Sequence, residues 1–132
     1  MADLLVVDDN EDTSECVASV LSLEGHRVRL GSNGEQGLAA LNDRLPDLVI
    51  LDVDMPVLDG PGMAYRMFLE NCRRELIPIV LSSAAVWLSE IATRIGTPYY
   101  IGKPFDPTEL MSLVTRALEK GRLPVHLPGV SR

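Results

Sequence analysis

Four apolar runs end in residues able to handle a charged oxygen ligand. Leu4–Val7 runs into Asp8 and Asp9, and Leu48–Leu51 runs into Asp52, with Asp54 just beyond. Ile77–Leu81 leads to Ser82 and Ser83, and Tyr99–Ile101 is followed by Lys103. Gathered at one place, these carboxylates repel: at 4 Å and an effective dielectric near 20, each like-charged pair costs about 4 kcal/mol. A hard divalent cation with oxygen ligands relieves that repulsion, and Mg²⁺ is the usual choice where phosphate is handled. A hydroxyl and a compact ammonium beside such a metal complete the outline of a phosphoryl site. Lys103 and Lys120 are the only lysines in a chain whose Lys and Arg total 12, so a rotatable point charge at 103 carries weight.

The runs are strands by pattern. Leu4–Val7, Leu48–Leu51 and Ile77–Leu81 are continuous Val/Ile/Leu segments, as expected of central strands covered on both faces. His26–Leu30 alternates His26, Val28 and Leu30 against Arg27 and Arg29, which suits an edge. Helical stretches lie between. Residues 13–24 carry Cys16, Val17, Val20, Leu21 and Leu23 as a stripe, with Gly25 as a left-handed cap. Asn33 caps 34–44, where Gly34 and Gly37 each cost about 1 kcal/mol relative to Ala. Pro61 opens 61–72 with Met63, Tyr65, Met67 and Phe68 as apolar positions. Residues 84–95 carry Val86, Leu88, Ile91 and Ile95 and stop at Gly96. Asp106-Pro107-Thr108-Glu109 has a capping-box arrangement and opens a last helix that runs to Lys120.

Five βα units in succession predict an α/β fold with a five-stranded parallel sheet and helices on both faces. Placing the alternating second strand at an edge gives the order 2-1-3-4-5 of the flavodoxin-like, doubly wound folds. The ligand crevice of such a sheet lies beyond the strand carboxyl ends where the winding reverses, here between the first and third strands. The domain is expected over 1–120, with 121–132 (Gly121, Pro124, Pro128, Gly129) a C-terminal tail or severed linker.

Composition narrows the function. The formal charge of -7 argues against a nucleic-acid surface, which needs clustered cations. No apolar run approaches the ~18 residues of a membrane span, and the acidic start MADLLVVDDN lacks the basic region of a signal peptide, so the expected compartment is the cytosol. Cys16 and Cys72 form neither a disulfide framework nor a metal spacing, and His26 and His126 lack a third ligand. Met55, Met63 and Met67 read as loop and core packing, and Trp87 as either a core residue or an exposed partner anchor.

Leu5-Val6-Val7-Asp8-Asp9, Leu51-Asp52-Val53-Asp54-Met55-Pro56-Val57-Leu58-Asp59-Gly60, Pro78-Ile79-Val80-Leu81-Ser82-Ser83-Ala84 and Lys103-Pro104-Phe105 together resemble the receiver domain of two-component response regulators, the CheY-like superfamily. The resemblance covers about residues 3 to 120. It implies that Asp52 takes a phosphoryl group from a phosphohistidine on a sensor histidine kinase or histidine phosphotransfer protein. It implies Mg²⁺ on Asp9, Asp52 and the backbone carbonyl of Asp54, with water-mediated help from Asp8. Ser83 and Lys103 would grip phosphoryl oxygens, assisted by the Ala84 N–H. The switch would draw Ser83 inward and turn Tyr100 into the vacated space, with Tyr99 facing the opposite side. Residues 84–120 would then read out the change to a partner, or to a second copy in a homodimer. Beyond self-phosphorylation and self-dephosphorylation, no enzyme activity is implied. The short tail holds no output domain, so either a single-domain regulator or a piece of a longer chain is expected.

Two features depart from the family pattern. The interval from Ser83 to Tyr100 is short, which bears on the readout surface. Asp54 adds a carboxylate where the family's side chain is free to vary, and it is expected to alter the lifetime of the phosphorylated state. Rival readings are a phosphorylation-independent interaction module, a haloacid-dehalogenase-type phosphatase suggested by Asp52-Val53-Asp54, and a flavin-binding domain. The phosphatase needs a further acidic metal motif downstream, where only Asp106, Glu109 and Glu119 remain. A flavin phosphate would meet Asp8 and Asp9.

Overall fold

The computed structural model describes residues 2–55, 58–69 and 77–120. Its strands are β1 (Asp3–Val7), β2 (Arg27–Gly31), β3 (Leu48–Asp52), β4 (Ile79–Ser83) and β5 (Tyr99–Gly102). Its helices are α1 (Glu11–Leu23), α2 (Gly34–Asp43), α3 (Gly60–Leu69), α4 (Leu88–Ile95) and α5 (Pro107–Lys120). Neighbouring strands pair in parallel in the order β2-β1-β3-β4-β5, as the sequence pattern predicts.

The period of two divides each apolar run between two cores. Leu5 and Val7 of β1, Val49 and Leu51 of β3, and Ile79 and Leu81 of β4 pack with residues of α2, α3 and α4. Leu4, Val6, Leu48, Ile50 and Val80 pack with Val17 and Leu21 of α1 and Leu110 and Val114 of α5. Each fully buried aliphatic side chain contributes about 1.5–3 kcal/mol, so the central strands are committed on both faces. Met63 and Met67 are core residues, and Met55 packs at the core margin. Among the described residues no helix is long and apolar enough to cross a membrane.

Several boundaries differ from the predicted ones, each for a local reason. α1 starts at Glu11 because the Asn10 side chain accepts the Thr13 N–H at 3.0 Å. Its buried face is Ser14, Val17 and Leu21, while Cys16 and Leu23 of the predicted stripe are exposed. Gly25 takes the expected left-handed conformation, Gly96 after α4 takes it too, and the Asn33 side chain accepts from Gln36 N at 2.8 Å to cap α2. α3 starts at Gly60, so Pro61 is its second residue, and Tyr65 faces solvent rather than core. Positions 70–72 of the predicted helix, the Phe68 side chain, Cys72, His126 and the tail 121–132 lie outside the described residues. The Asp106 carboxylate accepts from Thr108 N at 2.8 Å, which secures the start of α5.

β2 is the predicted edge, but its alternation is broken. Leu30 is exposed, and Arg29 instead turns in to donate to the Ala40 and Arg44 carbonyls at 2.8 and 2.6 Å. Those carbonyls lie at the C-terminal end of α2, where helix acceptors are left open to such donors; the Ala40 carbonyl also accepts the Arg44 N–H at 3.1 Å. β4 runs over Ile79–Ser83 rather than Ile77–Leu81. Pro78 offers its carbonyl to Val49 N but has no N–H to give, so regular pairing begins after it and extends through both serines.

α4 is the largest correction. It spans Leu88–Ile95, not 84–95. The Ser83 hydroxyl accepts the Ala85 N–H at 2.9 Å, and the chain turns through Val86 and Trp87 before the helix begins. Val86 is 89% exposed and Trp87 57% exposed, so neither belongs to the core.

Candidate functional site

Parallel pairing without stagger lines up the strand ends. Val7 lies opposite Leu51, which sets Asp8 beside Asp52; Asp52 lies opposite Ser82, and Ser83 opposite Gly102. Four segments distant in sequence thus deliver Asp8, Asp52, Ser83 and Lys103 to one rim, at the point where the winding reverses. The start of α3 is drawn against the end of β3 at Gly60, whose N–H donates to the Val53 carbonyl at 3.0 Å. A Cβ at position 60 would collide with the Asp52 carbonyl oxygen, so the close approach requires glycine.

Asp8 and Asp52 are buried carboxylates, and the Lys103 ammonium bridges them at 2.8 Å from Asp8 Oδ2 and 3.3 Å from Asp52 Oδ1. Asp8 Oδ1 also accepts the Asn10 N–H at 2.9 Å, and the Asp8 carbonyl accepts from Ser14 Oγ at 3.3 Å. Asp9 is exposed at the mouth. Carboxylate oxygens of Asp8, Asp9 and Asp52 all lie within 4.8 Å of one another. Three carboxylates against one ammonium leave an excess of negative charge, and an all-oxygen donor set of this kind fits a hard divalent cation. The Asp54 carboxylate is not among the three; its Oδ2 lies 3.5 Å from Ser83 Oγ.

Electrostatics follow from that crowding. Burial, reinforced by the charge of Asp8, pushes the Asp52 carboxyl up to about 7, and Lys103 only partly offsets the rise. Burial acts against the Lys103 ammonium, but its hydrogen bond with Asp8 and the charges of Asp52 and Asp8 outweigh that effect. They hold its pKa above the ordinary lysine value. A positive ion placed among the three carboxylates would favour ionised Asp52, the form with a nucleophilic oxygen.

Ser83 is buried, and its carbonyl accepts the Lys103 N–H at 2.8 Å, tying the two strand ends together. Tyr99 is buried while Tyr100 is 43% exposed, the opposite orientations expected. His26 Nδ1 accepts the Ala2 N–H at 3.1 Å, a structural role. Sequence reasoning missed three parts of the site. Asn10 serves as both helix cap and partner of Asp8, and an Asn followed by acidic Glu11 and Asp12 is the usual signature of a helix start. The close approach at Gly60 was signalled only by a turn-forming Asp59-Gly60 pair. The Asp8–Lys103 contact joins residues 95 positions apart and carried no local signal.

The switch point of this doubly wound parallel sheet thus carries carboxylates, a hydroxyl and an ammonium, and its acidic cluster could hold a cation. The chain belongs to the response regulator receiver domain family, whose model matches residues 4–115. It is 34% identical over 122 residues to the probable transcriptional regulator ycf27 of Pyropia yezoensis, covering 89% of this chain and 47% of that protein. An uncharacterized 14.6 kDa protein of Leptolyngbya boryana is 36% identical over 114 residues, covering 85% of this chain and 86% of the other. The crystal structure of the NtrX receiver domain from Brucella abortus superposes with a TM-score of 0.79 at 37% identity, covering 89% of this chain and 98% of that one. The chain spans about half the length of the ycf27 regulators it matches. The family match does not favour the phosphatase, flavin or interaction-module readings.

Proposed function

We propose that Asp52 is the phosphoacceptor of a two-component pathway, taking its phosphoryl group from a phosphohistidine on a sensor histidine kinase or histidine phosphotransfer protein. One observation carries this reading: the clustering of Asp8, Asp9 and Asp52 with Lys103 bridging two of them. An Asp52 carboxylate oxygen forms a bond to phosphorus as the phosphorus–nitrogen bond breaks, and that electron pair returns to the imidazole. Asp9, Asp52 and the Asp54 carbonyl, with Asp8 assisting, would hold Mg²⁺, which when bound would supply positive charge to the phosphoryl oxygens. Lys103 donates a charge-assisted hydrogen bond to the same group, and the Ser83 hydroxyl and Ala84 N–H donate to its other oxygens. Catalysis is positioning and charge neutralisation, and it extends only to the domain's own phosphorylation and dephosphorylation.

The donor approaches along a cleft of about 420 Å³ that includes Thr13, Cys16 and Val17 of α1 together with Ala84, Lys103 and Phe105. The cleft shares Ala84 and Lys103 with the phosphoryl site, so a helix seated in it can present a histidine to Asp52. Phosphorylation draws Ser83 inward, and Tyr100 turns to follow. The 84–120 face then shifts population toward a state bound by a downstream partner or a second copy. The domain ends near 120, with 121–132 a tail or linker, and it works in the cytosol.

Intact mass after incubation with acetyl phosphate tests the reading. One added phosphoryl group that requires Mg²⁺ and is absent from Asp52→Ala is expected. No adduct, together with no binding of the phosphoryl mimic beryllofluoride, would return the interaction-module reading to first place.

A further inference from the structure

A serine hydroxyl has one proton to donate. Ser83 is 1% exposed, so bulk water does not compete for that proton. The Ser83 oxygen accepts the Ala85 N–H at 2.9 Å, which orients the side chain. Among the described residues its hydrogen-bond acceptor is Asp54 Oδ2, at 3.5 Å. The placement is set by the backbone: Val53 N donates to the Ser82 carbonyl at 3.0 Å, carrying the end of β3 alongside β4 and bringing Asp54 over Ser83. We infer that Asp54 is a positioning residue that favours the resting state, because its carboxylate and the incoming phosphoryl group compete for the single Ser83 proton.

The inference rests on the phosphoacceptor reading and deepens it. At 3.5 Å the contact is long and weak, suited to a bias that phosphorylation overcomes rather than a lock. When Ser83 turns to the phosphoryl group it leaves Asp54, and the Asp54 carboxylate, already exposed, returns to water at little cost. Loss of the carboxylate therefore shifts the domain toward the active state. Asp54 would also repel an anion through its charge alone, and that effect differs in kind: it acts whether or not Ser83 is present.

A double-mutant cycle separates the two. Beryllofluoride with Mg²⁺ is titrated into the wild type, Asp54→Ala, Ser83→Ala and the double variant, with Asp54→Asn as the conservative control. Binding is followed by fluorine NMR and by the fluorescence of Trp87, the chain's single tryptophan. Asp54→Ala is expected to tighten binding in the Ser83 background by about fivefold more than in the Ser83→Ala background. Asp54→Asn, whose amide oxygen still accepts, should recover part of the wild-type restraint. An equal gain in both backgrounds would leave charge repulsion as the whole effect and overturn the inference, as would weaker binding by Asp54→Ala. Wild-type protein that binds no beryllofluoride would instead overturn the phosphoacceptor reading on which the inference stands.

Discussion

The rim and the segment from Ala84 to Tyr100 are neighbours in space but are held in different ways. At the rim, Asp8 alone is restrained by Lys103, Asn10 and Ser14, and Ser83 is tied to both Lys103 and Ala85. Beyond Ser83 the chain presents Val86, Trp87 and Tyr100 to solvent, and α4 is a short helix whose cap residue, Trp87, makes no side-chain capping bond. Its attachment is an apolar stripe, Leu88, Ala92 and Ile95, against the sheet. A group that must be placed within a fraction of an ångström is fixed by several polar contacts. The proposed readout helix α4 is held mainly by a few apolar contacts, which can slide or separate without stranding a buried charge.

Loss of Lys103 should break this contrast most severely. Lys103→Ala removes the ammonium shared by Asp8 and Asp52 and is expected to slow phosphorylation by acetyl phosphate about 10²–10³-fold. A rate within a few-fold of wild type would show that the ammonium is not part of the chemistry.

The second prediction concerns what holds the α4 side in place. Leu88→Ala is expected to destabilise the fold by about 2–3 kcal/mol, because Leu88 is 5% exposed and anchors α4. Val86→Ala, two residues away and open to solvent, should change stability by less than about 0.5 kcal/mol. Urea denaturation measures both, and similar losses would mean that the turn before α4 is packed after all.

The smallest effect is a pH dependence of the metal-free protein. Asp52 titrates near 7 in the folded state against an ordinary value of 3.8, so folded protein keeps a proton that the unfolded chain has already released. Its contribution is therefore most favourable below pH 3.8 and is lost as pH rises toward 7. In chelator, the stability of Asp52→Asn measured by urea denaturation should gain on that of the wild type as pH rises across this range. Added Mg²⁺ should narrow the gap. A constant difference between the two proteins at all pH values would place the source of the strain elsewhere.

Most of the rim was legible in the chain because it depends on short-range rules. Continuous Val/Ile/Leu runs mark buried parallel strands, the alternating run marks an edge, and from the resulting order the strand ends must meet at one crevice. Asp8, Asp9, Asp52, Ser83 and Lys103 could each be assigned to it before any contact was known. The course of the chain from Ser83 to Trp87 was not legible in the same way. Val86, Leu88, Ile91 and Ile95 make a plausible helical stripe, but a side-chain-to-backbone bond from Ala85 to Ser83 competes with the helix over its first turn.

The sequence by itself thus determined the parallel sheet, its order and the set of groups at its carboxyl edge, since periodicity and burial are properties of each segment. Only the tertiary structure decided which of those groups are partners. Lys103 turns to Asp8 more closely than to Asp52, Gly60 clears the space beneath Asp52, and Asp54 meets Ser83 rather than joining the three clustered carboxylates. Such pairings turn on differences of an ångström or less between side chains from separate strands. They are set by register and packing across the whole sheet, which no local stretch of sequence contains.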